Sequence, residues 1–348
     1  MSPYVLFIIL FGLGLGTTMT FASSHWLLAW IGLEINTLAI IPLMAKNHHP
    51  RAVEATTKYF LTQATAAATL LFAAVTNAWL TGQWDITSLT HPAPMVIVTL
   101  ALSLKVGLAP LHTWMPEVLQ GLDFTTGLIM STWQKLAPVI LLIQLPNQST
   151  TMLIFLGLTS TLIGGWGGLN QTQMRKVLAY SSIAHLGWIV LINQFSNTLT
   201  VVALIMYFIM TATVFLSLHM AKAPTISMLA TSWTKVPLFL ATIPATLLSL
   251  GGLPPLTGFL SKWFILKELV SQDLPLVATI AAFAGLLSLY FYLRLSYAMA
   301  LTISPNTTTS SAPWRLSFTQ NPAFLSTTAM MSALLLPLAP SILAAFSL

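Results

Sequence analysis

Eleven long apolar runs follow one another along the chain, with short polar breaks between them, at 3–22, 26–45, 59–81, 95–115, 124–145, 150–170, 177–194, 197–219, 237–270, 274–301 and 323–346. A run of about 20 apolar residues crosses the hydrocarbon of a bilayer as a helix. Lipid offers no partner to a free N–H or C=O, so such a chain is confined to helices or a closed barrel. Runs of this length without two-residue alternation choose the helix. The expectation is an all-α polytopic membrane protein. Only 6% of residues are charged, against about 25% in a soluble domain.

The ninth run is too long for one straight crossing. Gly251-Gly252-Leu253-Pro254-Pro255 interrupts it, because two glycines and two prolines break a helix and free backbone groups at depth need a polar cavity. With the N-terminus inside, Lys46, Arg51, Lys58, Arg175, Lys176, Lys222, Lys235 and Arg315 share one side. Arg294 falls near the inner end of its span and only Lys267 lies outside. The positive-inside rule therefore agrees with an odd number of spans. The first 24 residues hold no Lys or Arg, which argues for a retained first span rather than a signal peptide.

Gly107-Leu108-Ala109-Pro110-Leu111 in the fourth run and Gly252-Leu253-Pro254-Pro255-Leu256 in the ninth share a Gly-Leu-x-Pro-Leu pattern. The two runs are five apart and so point in opposite directions. Two inverted five-helix repeats follow, residues 1–147 and 148–303, with a C-terminal loop and helix over 304–348. Inverted repeats with a discontinuous helix in each half mark many transporters.

Against this background four charges stand out: Glu34, Lys105, Lys135 and Lys262 lie inside apolar runs. Each costs about 2.5–3.5 kcal/mol at the bilayer centre, so the four together cost roughly 10–14 kcal/mol before any compensation. Structural pairs that hold helices together would compensate, and so would a chain of proton-transfer groups linked by water. One acid and three bases make no nucleophile arrangement and no metal shell. A Glu34–Lys105 pair would favour both charged forms, and breaking it would release a proton. Lysine suits this task because its protonation responds strongly to burial and neighbours. His112, seven residues after Lys105 and on nearly the same face if the helix continues through Pro110, is one candidate relay. His185, in mid-span, is another, bridging Lys135 and Lys262.

Other signals take plainer readings. Gly164-Gly165-Trp166-Gly167-Gly168 permits close helix packing. The tryptophans, including Trp26, Trp79 and Trp84, suit interfacial belts. His48-His49 and His219 lie near span ends. No cysteine is present, which excludes disulfides, thiolate metal sites and iron–sulfur ligation by this chain. The cationic excess reports topology rather than nucleic-acid binding. The Asn306-Thr307-Thr308 sequon maps to an inside loop and is discounted.

The run from Lys105 through Gly107, Pro110 and His112 to Pro116 resembles the broken-helix signature of the antiporter-like subunits of respiratory complex I. Gln173 to Gly187, through Arg175, Lys176 and His185, and Gly252 to Lys262 resemble two further signatures of that family, and Gly32-Leu33-Glu34-Ile35-Asn36 extends the likeness over nearly the whole chain. The eleven-span form is similar to the shortened subunit of animal mitochondria. This resemblance implies a core membrane-arm subunit of proton-pumping NADH:ubiquinone oxidoreductase, in the mitochondrial inner membrane, with its N-terminus in the matrix and its C-terminus on the intermembrane side. It implies a coupled acid–lysine pair at Glu34 and Lys105, a central lysine at Lys135 and an exit group at Lys262. It also implies no cofactor in this chain, with NADH, FMN, iron–sulfur clusters and ubiquinone in the rest of the complex. The partners would be other membrane-arm and accessory subunits and inner-membrane lipids. Compared with longer relatives, helices ahead of the first span are lacking, and the segment from Pro116 to Lys135, with Asp123, departs from their more alanine-rich pattern. A stand-alone cation/proton antiporter of the same fold is the alternative; migration alone or within a very large redox assembly separates the two.

Overall fold

A computed structural model of the protein describes residues 2–46, 48–145, 150–230, 232, 237–300, 323–338, 341 and 344. Lys235, Arg315, the Asn306 sequon and the loop expected over 304–322 lie outside these residues. Among the described residues there are no strands, only isolated bridges at His25–Asp85 and Gln173–Thr225. The chain divides into two compact units, Met1–Leu156 and Gly157–Leu348.

The first unit contains α1 (Pro3–Ala22), α2 (Trp26–Met44), α3 (Pro50–Thr81), α4 (Pro92–Val106), α5 (Trp114–Gly121), α6 (Phe124–Ser131) and α7 (Trp133–Gln144). Helix α8 (Thr150–Gly168) crosses the boundary. The second unit continues with α9 (Met174–Ile192), α10 (Asn197–Ala221), α11 (Ile226–Ala230), α12 (Pro237–Gly251), α13 (Thr257–Ser271), α14 (Pro275–Ala300) and α15 (Ala323–Leu334). Among the described residues, seven segments are long and apolar enough to cross a membrane, counting α6 and α7 as one. Helix α9 and the interrupted pairs α4/α5 and α12/α13 lie in the seventh, fourth and ninth expected runs, and α15 covers the first half of the eleventh, whose residues 339, 340, 342, 343, 345 and 346 lie outside the described ones.

Helix starts are made from what each loop offers. Ser2 Oγ accepts from Val5 N at 3.5 Å, and the Nδ1 atoms of His25 and His49 accept from Leu27 N at 3.1 Å and Arg51 N at 3.2 Å. Each satisfies one of the N–H groups that a first turn leaves free. Helix α3 has 32 residues, about 48 Å at 1.5 Å per residue. That exceeds a hydrocarbon core of about 30 Å. Its first turns accordingly carry the exposed ion pairs of Lys58 with Glu54 (2.7 Å) and with Glu117 of α5 (2.8 Å).

Small residues set the helix contacts. A Cβ on Gly16 of α1 would lie 2.8 Å from the Gly32 carbonyl oxygen of α2, so only glycine permits that approach. Gly164 of α8 lies equally close to the Ala184 backbone of α9, as its Gly-rich run predicts. The tryptophans divide. Trp79 is 87% exposed and suits a belt, but Trp26 is fully buried, and its main-chain N–H pairs with the Trp84 carbonyl at 3.0 Å. Trp84 stacks on His25.

Candidate functional site

Both Gly-Leu-x-Pro-Leu segments break their helices, and by the same backbone device. Helix α4 stops at Val106, and Gly107 takes a left-handed conformation, φ 83°. Its N–H bonds the Leu104 carbonyl at 3.2 Å, and Leu108 N–H bonds Ser103 at 2.9 Å. Helix α12 stops at Gly251, and Gly252 has φ 80°. There Gly252 N–H bonds Ser249 at 2.9 Å, and Leu253 N–H bonds Leu248 at 3.3 Å. This is the Schellman ending, whose left-handed position glycine takes without steric cost.

The prolines then remove the helical donor of at least one carbonyl in each break. Four residues after Val106 stands Pro110, and four after Gly251 stands Pro255. Neither has an N–H to complete the helical bond. Lys135, arriving from α7, donates its Nζ to the Val106 carbonyl. Lys262, from α13, donates to the Gly251 carbonyl at 2.7 Å. Two lysines at unrelated sequence offsets therefore cover the matching carbonyl of each break. Gly252 makes room for its lysine, since a Cβ there would lie 2.8 Å from Lys262 Cδ, whereas one on Gly107 would lie 3.5 Å from Lys135 Nζ, an ordinary contact.

Lys135 is held without an acid. Besides Val106 it touches Met115 Sδ at 3.5 Å and sits 5.3 Å from the centre of the Trp114 ring. Trp114 is fixed in turn by its Nε1 bond to the Leu104 carbonyl at 3.1 Å and by the Tyr59 ring, 5.8 Å away. Carbonyl, thioether and π-face together make a seat for a cation that a sequence reading centred on charged groups does not see. The usable signal was the position of Trp114, seven residues past the breaking glycine.

Helices α2, α4 and α7 pack together and bring Glu34, Lys105 and Lys135 into one region of the first unit. The expected Glu34–Lys105 ion pair does not form. Lys105 is 4% exposed and its Nζ has no protein partner, and Glu34 Oε2 has none either. The carboxylate acts on Lys105 and on Tyr59 only through its field.

His112 differs from expectation too. Its place on the Lys105 face required α4 to continue, whereas Gly107 and Pro110 end it. His112 instead lies in the connecting turn, with Nδ1 3.3 Å from the Pro110 carbonyl. A second interruption was not expected at all: α6 and α7 separate at Thr132, three residues before Lys135. Ser131 and Thr132 both donate their hydroxyls back to the Leu128 carbonyl, at 3.1 and 2.7 Å. Such back-bonding bends helices, and the Ser-Thr pair was its sequence signal.

In the second unit His185 is 8% exposed on α9, with its ring centre 5.8 Å from that of Tyr207. It lies beside the Leu250 carbonyl and within electrostatic reach of Lys262. The flanks of the second break are tied to α15: Ser249 Oγ donates to the Ser332 carbonyl at 2.8 Å, and Thr257 Oγ1 donates to the same oxygen. That carbonyl belongs to the last turn of α15 and has no helical partner of its own. Among the described residues no group of three metal-ligating side chains occurs.

Residues 23–288 match the family described as NADH:quinone oxidoreductase/Mrp antiporter, TM, and residues 289–343 match the NADH dehydrogenase subunit 2 C-terminus. The chain belongs to the NADH:quinone oxidoreductase/Mrp antiporter family. Within it, the chain is 65% identical over 348 residues to NADH-ubiquinone oxidoreductase chain 2 of Tetraodon nigroviridis, covering 100% of both chains. It is 63% identical over 349 residues to that of Oncorhynchus mykiss, again covering 100% of both. A chain in the solved structure of respiratory complex I from Thermus thermophilus with bound aureothin is 26% identical, with TM-score 0.85, over 99% of this chain and 79% of that one. A chain of the Mrp complex from Dietzia, 17% identical with TM-score 0.79, shares the fold over 95% of this chain and 74% of its own. The antiporter-like fold of the family is thus the fold seen here.

Proposed function

We propose that the chain is a membrane-arm subunit of proton-translocating NADH:ubiquinone oxidoreductase and carries protons through Glu34, Lys105, Lys135, His185 and Lys262. NADH, FMN, iron–sulfur clusters and ubiquinone do their chemistry in other subunits, and this chain supplies a proton conduit. The observation that carries the reading is the seating of Lys135 and Lys262 on the free carbonyls of two helix breaks. A buried ammonium with a carbonyl partner and no fixed counter-charge can lose its proton without leaving a stranded carboxylate behind.

Quinone reduction elsewhere would act on the Glu34 end. A change in the carboxylate's charge or position alters the field at Lys105, which then passes a proton toward Lys135. The order continues through His185 to Lys262, whose carbonyl seat repeats that of Lys135. His112, in the turn of the first break, is the further relay candidate of this path. We place the chain in the mitochondrial inner membrane with its N-terminus in the matrix and its C-terminus on the intermembrane side, on the cation distribution. The two inverted repeats remain the reading of the matched breaks.

The test is Lys105→Met in the assembled enzyme. Proton uptake into vesicles and coupled quinone reduction should both fall steeply while the complex remains assembled on a native gel. Native pumping by an assembled Lys105→Met enzyme would overturn the path.

A further inference from the structure

The two side-chain walls of the Lys135 seat, Trp114 and Met115, open α5, a helix of eight residues. So short a helix does not hold itself, and α5 takes its place from what it packs against. Trp114, Glu117 and Gly121 fall at i, i+3 and i+7, on one face of α5. That face lies along α3, where Arg51, Ala55, Lys58 and Tyr59 form one stripe at i, i+4, i+7 and i+8. The contacts run in antiparallel order. The Tyr59 ring centre is 5.8 Å from that of Trp114. Lys58 Nζ donates to Glu117 Oε2 at 2.8 Å. A Cβ on Gly121 would lie 2.6 Å from Ala55 Cβ and from the Arg51 carbonyl oxygen, so the end of α5 meets α3 at close range. Glu54 Oε1, one turn before Lys58, holds the same ammonium at 2.7 Å. The Lys58 and Glu117 side chains are about half exposed, whereas Trp114 is buried and Met115 fully so. A link made in solvent therefore stands two residues from a wall made inside the protein.

We propose that Lys58 is a positioning residue for the Lys135 seat: by pairing with Glu117 it holds α5 on α3 and keeps Trp114 and Met115 against the Lys135 ammonium. The inference rests on the proton path above and adds to it a residue that carries no proton. Apolar packing at Gly121 and Tyr59 is non-directional. The ion pair supplies a fixed point between those two ends and so sets the rotation of α5. Glu54 makes the link a network of three charges, which holds its geometry better than a lone surface pair. With Glu117 released, α5 can roll on α3. The Trp114 face and the Met115 sulfur then leave the ammonium, and Lys135 keeps only the Val106 carbonyl. Because the pair is exposed, salt on that side of the membrane screens it. The proton yield thus becomes sensitive to ionic strength at a place no proton crosses.

The readout is protons moved per NADH oxidised by assembled enzyme in sealed vesicles. Lys58→Met should lower it by up to about fivefold, the shift that one exposed ion pair makes in an equilibrium. Lys58→Glu should lower it further. Lys58→Glu with Glu117→Lys remakes the pair with its ends exchanged and should restore most of the yield. Raising salt from about 0.05 M to about 0.5 M on the face that carries Lys58 should lower the native yield and leave that of Lys58→Met unchanged. A merely structural pair would change survival of heating, but neither the yield per assembled enzyme nor its salt dependence. Native yield and native salt dependence in assembled Lys58→Met overturn the proposal. So does a charge exchange no better than Lys58→Glu alone. If Lys58→Met does not assemble, Glu117→Gln breaks the pair from its other end; if neither assembles, a native yield indifferent to salt overturns it. Loss of yield in Lys135→Met beside a silent Lys58→Met leaves the path standing and removes the strap, whereas native yield in both overturns the path itself.

Discussion

Three glycines with left-handed backbones separate the strain of a helix ending from the seating of a lysine. Gly82, Gly107 and Gly252 have φ of 73°, 83° and 80°, so alanine at any of them costs about 1–2 kcal/mol in backbone strain. They differ in what the new methyl meets. At Gly82 nothing lies within 4 Å. At Gly107 the methyl would lie 3.3 Å from Trp114 Cζ2, a tight contact, and 3.4 Å from Met115 Sδ and 3.5 Å from Lys135 Nζ, which are ordinary packing distances. At Gly252 it would lie 2.8 Å from Lys262 Cδ and 3.0 Å from its Nζ, so the lysine stem must move. Overpacking adds about 1–3 kcal/mol. Gly252→Ala should therefore cost about 2–5 kcal/mol in all, with Gly107→Ala between it and Gly82→Ala. The assay pairs thermal stability of the assembled enzyme with proton uptake per NADH oxidised. Gly82→Ala should lose stability and keep its proton yield, whereas Gly252→Ala should lose both. If Gly252→Ala matches Gly82→Ala in both readouts, Lys262 is not held against the break and the carbonyl seat is wrong.

The remaining predictions probe the walls of the two seats. Trp114→Leu removes a desolvated π-face worth about 2 kcal/mol to a cation and the anchor on Leu104, and should lower pumping in the assembled enzyme; Trp114→Phe, which keeps a π-face, should recover part of it. Ser249→Ala with Thr257→Val strips the Ser332 carbonyl of both donors at a cost of about 1–3 kcal/mol, so less assembled enzyme should survive a mild heat step on a native gel.

The helices were readable because lipid leaves an apolar chain almost no other choice, and the breaks because Gly-Leu-x-Pro-Leu contains both a left-handed glycine and a residue that cannot donate. What those breaks hold was not readable. Lys135 lies 29 residues from the carbonyl it covers, and no periodicity connects α7 to the end of α4. The matched segments set Lys105 just before one break and Lys262 just after the other. The hydrogen bonds instead make Lys135 the counterpart of Lys262 and leave Lys105 free. His112 was misplaced for a related reason, since helical spacing was carried across a proline that ends the helix. Trp114 is uncharged, and in a chain 56% hydrophobic it does not stand out until the fold sets it beside a lysine.

Lys135 is the point at which the whole account is most exposed. Replacing it by methionine removes the buried cation and leaves the Val106 carbonyl unpaired, a cost of about 1–3 kcal/mol, which leaves assembly within reach. The decisive measurement is the number of protons moved per NADH oxidised by the assembled Lys135→Met enzyme in sealed vesicles. The account predicts a value well below that of the native enzyme, with NADH oxidation through the redox arm intact when uncoupled from the membrane. A native proton yield from that variant would contradict it.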